Sequence, residues 1–243
     1  MKAIILCAGY ATRLYPLTLD KPKSLLEVSG KPILDYIVEK IEKIKEVDEI
    51  FVVANEKFYN HFEKWLEENK KYFVKKINII NDQTETNETR LGGIGDLDFV
   101  IRKEKINDDL LVVLGDNLFD FDLISFSEFF KQNNGVCIGV YDLKNKGEAK
   151  QLGVLEIKNK KLISFEEKPQ NPKTTIISTG IYFFPKEEIT TIKNYMKTDK
   201  PKDGPGYLIL DLLKSQKIHA FEFKGKWFDI GTKEVYEKIK NGF

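Results

Sequence analysis

Four short stretches carry residues whose types and spacing suit work on phosphates and hard cations. The first is Leu6-Cys7-Ala8-Gly9-Tyr10-Ala11-Thr12-Arg13-Leu14-Tyr15-Pro16-Leu17-Thr18, with Lys21-Pro22-Lys23 close behind. Small residues at Ala8, Gly9 and Ala11 let backbone N–H groups approach an anion, and Arg13 adds a rigid two-pronged cation. The loop lacks the Gly-Lys-Ser/Thr ending of a Walker A loop and the spacing of a dinucleotide fingerprint. The second stretch, Val112-Val113-Leu114-Gly115-Asp116-Asn117, sets a lone acid after an apolar run, where it holds a hard cation or caps a turn. The third, Trp227-Phe228-Asp229-Ile230-Gly231-Thr232, sets another acid between aromatic and small residues. The fourth, Phe165-Glu166-Glu167-Lys168-Pro169, ends an apolar run in a charged pair. Each also has an ordinary reading: a strand-to-helix loop, a turn or helix cap, a surface ion pair.

Such residues need a frame. Lys2–Leu6, Ile50–Ala54, Ile77–Asn81 and Leu110–Leu114 read as buried strands. Between them Ile33–Val47, Glu56–Asn69 and Ile94–Glu104 repeat apolar residues at helical spacing. Strands alternating with helices of this length imply βαβ units and a parallel sheet covered on both faces. The first motif then starts at the carboxyl end of the first strand, where open parallel sheets bind ligands. After Asp116 the rhythm changes to short strands at Val136–Tyr141, Gly153–Ile157, Leu162–Phe165 and Gly180–Phe184, joined by polar turns. A helix near Lys186–Met196 follows, then a Pro/Gly-rich loop at Lys200–Gly206. A helix near Leu208–Ser215, a strand at Ala220–Phe223 and a helix from Thr232 complete the chain. No repeat or linker divides it. The expectation is one domain over 1–243, with a change of character after Asp116.

Composition narrows the classes. The 243 residues carry 39 basic and 38 acidic side chains, a balance that argues against coating nucleic acid or a membrane by charge. Only Arg13, Arg90 and Arg102 are arginines, so each raises the question of whether a rigid fork was needed there. Cys7 and Cys137 lie far apart in apolar runs and read as buried thiols in a reducing compartment. The opening apolar stretch is too short for a signal peptide and none is long enough to span a bilayer, so a cytoplasmic protein is expected.

Taken in order, the four motifs resemble those of the sugar-1-phosphate nucleotidylyltransferases, the family that includes glucose-1-phosphate thymidylyl- and uridylyltransferases. The resemblance runs through Ala8–Lys23, Leu114–Asn117, Glu167–Pro169 with Gly180-Ile181-Tyr182, and Trp227–Thr232, nearly the whole length. It is to the short, catalytic-domain-only members, since no left-handed β-helix repeats follow. It implies a three-layer α/β, Rossmann-like nucleotide-diphospho-sugar transferase fold, with a mostly parallel central sheet and a small β-rich sugar-binding lobe, the nucleotide-binding half being 1–116 and the sugar-phosphate-binding half 117–243. It also implies the reaction: a sugar 1-phosphate attacks the α-phosphate of a nucleoside triphosphate, giving NDP-sugar and pyrophosphate. A phosphate monoester is already largely ionised near neutral pH, so no side-chain base is required. That fits a chain whose two histidines, His61 and His219, lie outside every motif.

By the same resemblance, Arg13 clamps the β- and γ-phosphates and Lys23 neutralises charge between the reacting phosphates. Asp116 and Asp229 hold Mg²⁺. Ala8 and Gly9 line the base and ribose, with Tyr10, Ala11 and Thr12 completing the nucleotide loop. Gly153, Glu167, Lys168 and Gly180 form the sugar-phosphate side, and a homo-oligomer is allowed because family members often form one. Two departures stand out. Ala11 replaces the family's usual Gly; if that backbone needs φ > 0, Ala costs about 1 kcal/mol. The family's Gly-Thr-Ala segment is replaced by the stretch from Asn81 to Asp96, in which Asn81 is the candidate base-reading amide, with Asn87, Arg90 and Gly92 beside it. An amide there leans towards a pyrimidine. The same Asn-rich stretch resembles the phosphocholine and other alcohol-phosphate cytidylyltransferases, while Glu167-Lys168-Pro169 points to sugar. A nucleotide-sugar sensor without catalysis is a third reading, and retention of Arg13, Lys23, Asp116 and Asp229 argues against it.

Overall fold

The computed structural model describes residues 1–242. In chain order the first half holds β1 (Lys2–Leu6), β2 (Glu27–Val28), β3 (Lys31–Pro32), α1 (Ile33–Glu42), β4 (Glu49–Ala54), α2 (Tyr59–Asn69), β5 (Lys76–Asn81), α3 (Gly93–Lys103) and β6 (Leu110–Leu114). There follow β7 (Asn117–Phe119), α4 (Ile124–Asn133), β8 (Cys137–Asp142), α5 (Lys146–Ala149), β9 (Gly153–Lys158), β10 (Lys161–Glu167) and β11 (Ile176–Phe184). Then come α6 (Glu188–Tyr195), α7 (Pro205–Leu212), β12 (His219–Glu222), β13 (Trp227–Asp229) and α8 (Lys233–Ile239).

Nine strands make one sheet in the order β5-β4-β1-β6-β11-β8-β12-β10-β9. The first four are parallel, and their near-continuous apolar sequence follows from burial on both faces. In β1, Ala3 and Ile5 join the core beneath α1, α2 and α4, while Ile4 and Leu6 join the core beneath α3, α6 and α7. This alternation produces the three layers.

The expected parallel order holds from β5 to β6 and gives way beyond β6. There β11 runs antiparallel to both β6 and β8, and β10 antiparallel to both β12 and β9, so the sheet is mixed. The cause lies in the connections. Parallel neighbours need a long crossover, whereas the Asn159-Lys160 turn between β9 and β10 can only return the chain antiparallel. The β-rich second half extends the same sheet, with β11 also pairing β9 at Ile177 and Val154.

Element boundaries move for local reasons. Helix α1 stops at Glu42, and Ile44 and Val47 are buried in the turns after it. Helix α2 begins at Tyr59, because the Asn55 side chain accepts from the Phe58 N–H at 3.0 Å and holds a turn first. Pro205 and Gly206, expected in a loop, form the first turn of α7, where proline's missing N–H is no loss. Helix α4 and the β7–β13 ribbon have no counterpart in the sequence reading. The ribbon pairs Asp229 with Asn117, and the Ile230 N–H donates to the Asp116 carbonyl at 3.0 Å. Two acids 113 positions apart are thereby fixed side by side.

Candidate active site

The loop after β1 is built by backbone geometry. The Ala8 carbonyl accepts from the Asn55 amide at 2.9 Å, Tyr10 is buried with its hydroxyl donating to the Thr84 carbonyl at 2.7 Å, and Gly9 is exposed with open space beside it. Ala11 sits at φ 49°, ψ 41°, with its carbonyl accepting from the Thr18 hydroxyl at 2.8 Å. Thr12–Leu14 then form one 3₁₀ turn that presents Arg13. The left-handed position at Ala11 makes its methyl group unfavourable. Ala11→Gly is expected to stabilise the protein by about 1 kcal/mol, raising the melting temperature by roughly 2–4 °C. Thermal unfolding checks this, and an unchanged or lower midpoint contradicts it.

Arg13, Asp116, Gly153, Glu167, Lys168, Gly180 and Asp229 all line one cleft of about 440 Å³. Lys23 reaches the same place, donating from Nζ to Asp116 Oδ2 at 2.6 Å. Asp229 is pushed up to about 6, first by burial and then by the neighbouring Asp116 charge, with Lys23, Arg13 and Lys168 pulling the other way. Two carboxylates and three cations therefore share one field. Elsewhere on the cleft wall, burial raises the Glu167 carboxyl against the pull of Lys168, whose Nζ lies 4.0 Å from Glu167 Oε1.

Close backbone approach shapes that wall. A Cβ at Gly153 would sit 2.5 Å from the Phe165 ring, and one at Gly206 would sit 2.7 Å from Glu167 Oε2. Gly180 has φ 73°, and a Cβ there would meet Asn117 Nδ2 and Leu114 at 2.7 Å. Lys168 itself occupies the left-handed region at φ 49°, its N–H donating to the Leu152 carbonyl at 3.0 Å. Backbone strain of this kind collects at functional sites.

Other expected residues fall outside the cleft lining. Ala8 to Thr12 form the adjoining loop. Asn81 donates to Glu56 Oε2 at 2.6 Å and accepts from the Gln83 N–H at 2.7 Å. Both contacts are exposed, and the amide keeps one N–H and one lone pair beyond them. Gly92 caps α3 at φ 78°, against the Lys202 carbonyl. The cleft also takes in Arg90, Gln151, Ser178, Tyr182, Asp203 and Tyr207. Three of these had a signal in the sequence: Arg90 by the scarcity of arginine and its place near Asn81, Tyr182 by the Gly180-Ile181-Tyr182 motif, and Asp203 by the Pro/Gly-rich loop around it.

The profile of the nucleotidyl transferase family matches residues 2–242. The chain belongs to that family. A Sulfolobus acidocaldarius protein assigned as a mannose-1-phosphate guanyltransferase is 32% identical, over 98% of this chain and 62% of its own length. The bifunctional protein GlmU of Methanocaldococcus jannaschii is also 32% identical, over 95% of this chain and 51% of its own length. This nucleotidyl transferase family member thus spans about half to three-fifths of those two relatives. Among solved structures, a Bacillus anthracis protein assigned as a glucose-1-phosphate thymidylyltransferase, crystallised with sucrose, superimposes with a TM-score of 0.82. It is 26% identical, and the match covers 99% of this chain and 94% of that one. Among the described residues no helix is long and apolar enough to cross a membrane.

Proposed function

We propose that this chain transfers a nucleotidyl group from a nucleoside triphosphate to a sugar 1-phosphate. The observation that carries the reading is the meeting of Arg13, Lys23, Lys168, Asp116 and Asp229 around one cleft at the end of the parallel strands. A phosphate oxygen of the sugar 1-phosphate attacks the α-phosphorus, the bond from the α-phosphorus to the β-phosphate oxygen breaks, and pyrophosphate leaves with the bonding pair. Arg13 holds the departing β- and γ-phosphates, and Lys23 lies where charge builds between nucleophile and α-phosphate. Lys168 holds the acceptor phosphate and Glu167 a sugar hydroxyl. Work of this kind is alignment and charge neutralisation rather than proton abstraction.

The donor set suits magnesium, which takes one or two carboxylates and completes its shell with water and phosphate. Asp116 and Asp229 supply two hard oxygen groups, and the raised Asp229 carboxyl marks a site where further positive charge relieves carboxylate repulsion. Mg²⁺ held there would supply electrophilic activation of the α-phosphate. Among the described residues no group of three His, Cys, Asp or Glu side chains forms an all-protein cage.

Pyrophosphate release with Mg²⁺, scanned over the common triphosphates against sugar 1-phosphates and phosphocholine, tests the reading. Turnover with a sugar phosphate is expected, and Glu167→Gln should raise KM for that sugar about tenfold, with kcat little changed. Activity only with phosphocholine replaces the acceptor class. A protein that binds triphosphate yet turns over nothing overturns the enzyme reading.

A further inference from the structure

The segment Pro201–Gly206 touches three parts of the molecule at once. Near its start, the Tyr195 hydroxyl donates to the Pro201 carbonyl at 2.8 Å. In its middle, the Lys202 and Asp203 carbonyls accept from the Ile94 and Gly93 N–H groups at 3.0 and 2.9 Å. They thereby satisfy two donors that the start of α3 leaves open. At its end, Gly206 packs against Phe165 and Glu167, on the proposed acceptor wall. Only glycine fits at residue 92, since a Cβ there would lie 2.5 Å from the Lys202 carbonyl oxygen.

Arg90 closes this arrangement from the other side. Its guanidinium donates to the Asn87 carbonyl at 2.7 Å and to Asp203 Oδ1 at 3.0 Å, and both Arg90 and Asp203 line the cleft. One guanidinium thus fixes the loop that follows β5 to the segment that leads into α7. Lysine, a point charge with no planar fork, does not present two parallel N–H groups to the two acceptors in this way. That accounts for one of the chain's three arginines lying here.

We propose that Arg90 and Asp203 are positioning residues: they strap the nucleotide-side loop Asn81–Gly92 to the acceptor wall at Gly206 and Glu167, so that binding on either side organises the other. This rests on the nucleotidyl-transfer reading. Neither residue touches the reacting atoms. The strap acts through the two backbone bonds to α3 and through the seat of Gly206 on Glu167.

Arg90→Gln, Asp203→Asn, the double variant and Arg90→Lys test it, using the triphosphate and sugar phosphate that turn over in the panel above. Each single variant is expected to raise KM for the sugar phosphate about tenfold, while kcat changes less than about threefold. The double variant should be no worse than the worse single, and Arg90→Lys should restore part of the loss. Calorimetric titration should show that each substrate tightens the other in the wild type, with that reciprocal factor falling towards one in the variants. A substrate-independent arm compares amide hydrogen exchange. In Arg90→Gln, peptides covering residues 88–97 and 198–208 should exchange faster together, with the melting temperature unchanged. Wild-type kinetics in the variants, multiplying effects in the double variant, or exchange that rises in one peptide alone each overturn the strap. A wild type without turnover sinks the nucleotidyl-transfer reading instead, and the exchange arm still decides whether the two segments move as a unit.

Discussion

Replacing Asp116 by Asn is expected to lower turnover about 10³-fold, roughly 4 kcal/mol of transition-state stabilisation, while the protein remains folded. The separation of the two effects follows from what each part of the residue does. Its backbone carbonyl accepts from Ile230 and joins the β13 end to β6, and an Asn keeps that bond. Gly115 beside it, where a Cβ would lie 2.3 Å from Cys7 Sγ, is untouched. What is lost is one negative charge. Lys23 then has only a neutral acceptor where Oδ2 now lies 2.6 Å away; burial still raises Asp229, but the Asp116 charge that adds to it disappears. Asp229 is therefore expected to titrate nearer its ordinary range in the variant. Circular dichroism and melting should match the wild type, while pyrophosphate release falls by the stated factor. Retention of full turnover would remove Asp116 from the chemistry and leave the Lys23 ion pair as a structural contact.

The parts of this site that were legible in the sequence are those whose residue types are hard to explain otherwise. Arg13 in a loop of small residues, Asp116 at the end of an apolar run, Lys168 before a proline and Asp229 between aromatic and small residues each stand out locally, and the fold brings them to one cleft. Ala11 was legible as a departure, and its φ of 49° shows that the position does take the left-handed conformation. Strand order was not legible. Apolar runs show that a strand is buried but not which neighbour it takes, and β11 lies between β6 and β8 through long-range pairing. Asn81 is a different case: its type suits a base, and its amide also meets Glu56, 25 positions away. Side-chain partners at that distance leave no mark on local pattern. The place of Tyr207 in the cleft lining was hidden for the same reason, within the first turns of α7.

Asp96 is the clearest case of chemistry concealed by an ordinary pattern, and it yields the largest stability prediction. An acid in the first turn of a helix is normally a solvated residue that favours the helix dipole. Here Asp96 lies in the first turn of α3, yet only 6% of it is exposed, and Asp82, in hydrogen-bonding contact with it, is 4% exposed. Asp82 already accepts from the Thr84 N–H and hydroxyl at 2.7 and 2.8 Å, so it is the better stabilised anion of the two. Burial and the Asp82 charge push Asp96 up to about 8, from an ordinary value of 3.8. The folded protein thus binds a proton that the unfolded chain releases between about pH 4 and pH 8. Stability falls as pH rises through that window and levels off above it. Asp96→Asn keeps a donor towards Asp82 without an ionisable group. The variant is expected to match the wild type near pH 4 and to exceed it by on the order of 2 kcal/mol at pH 8. Urea unfolding at pH 4, 6 and 8 measures the difference. Parallel stability curves for the two proteins would show that Asp96 is ionised in the fold at neutral pH, and that an unseen donor satisfies it.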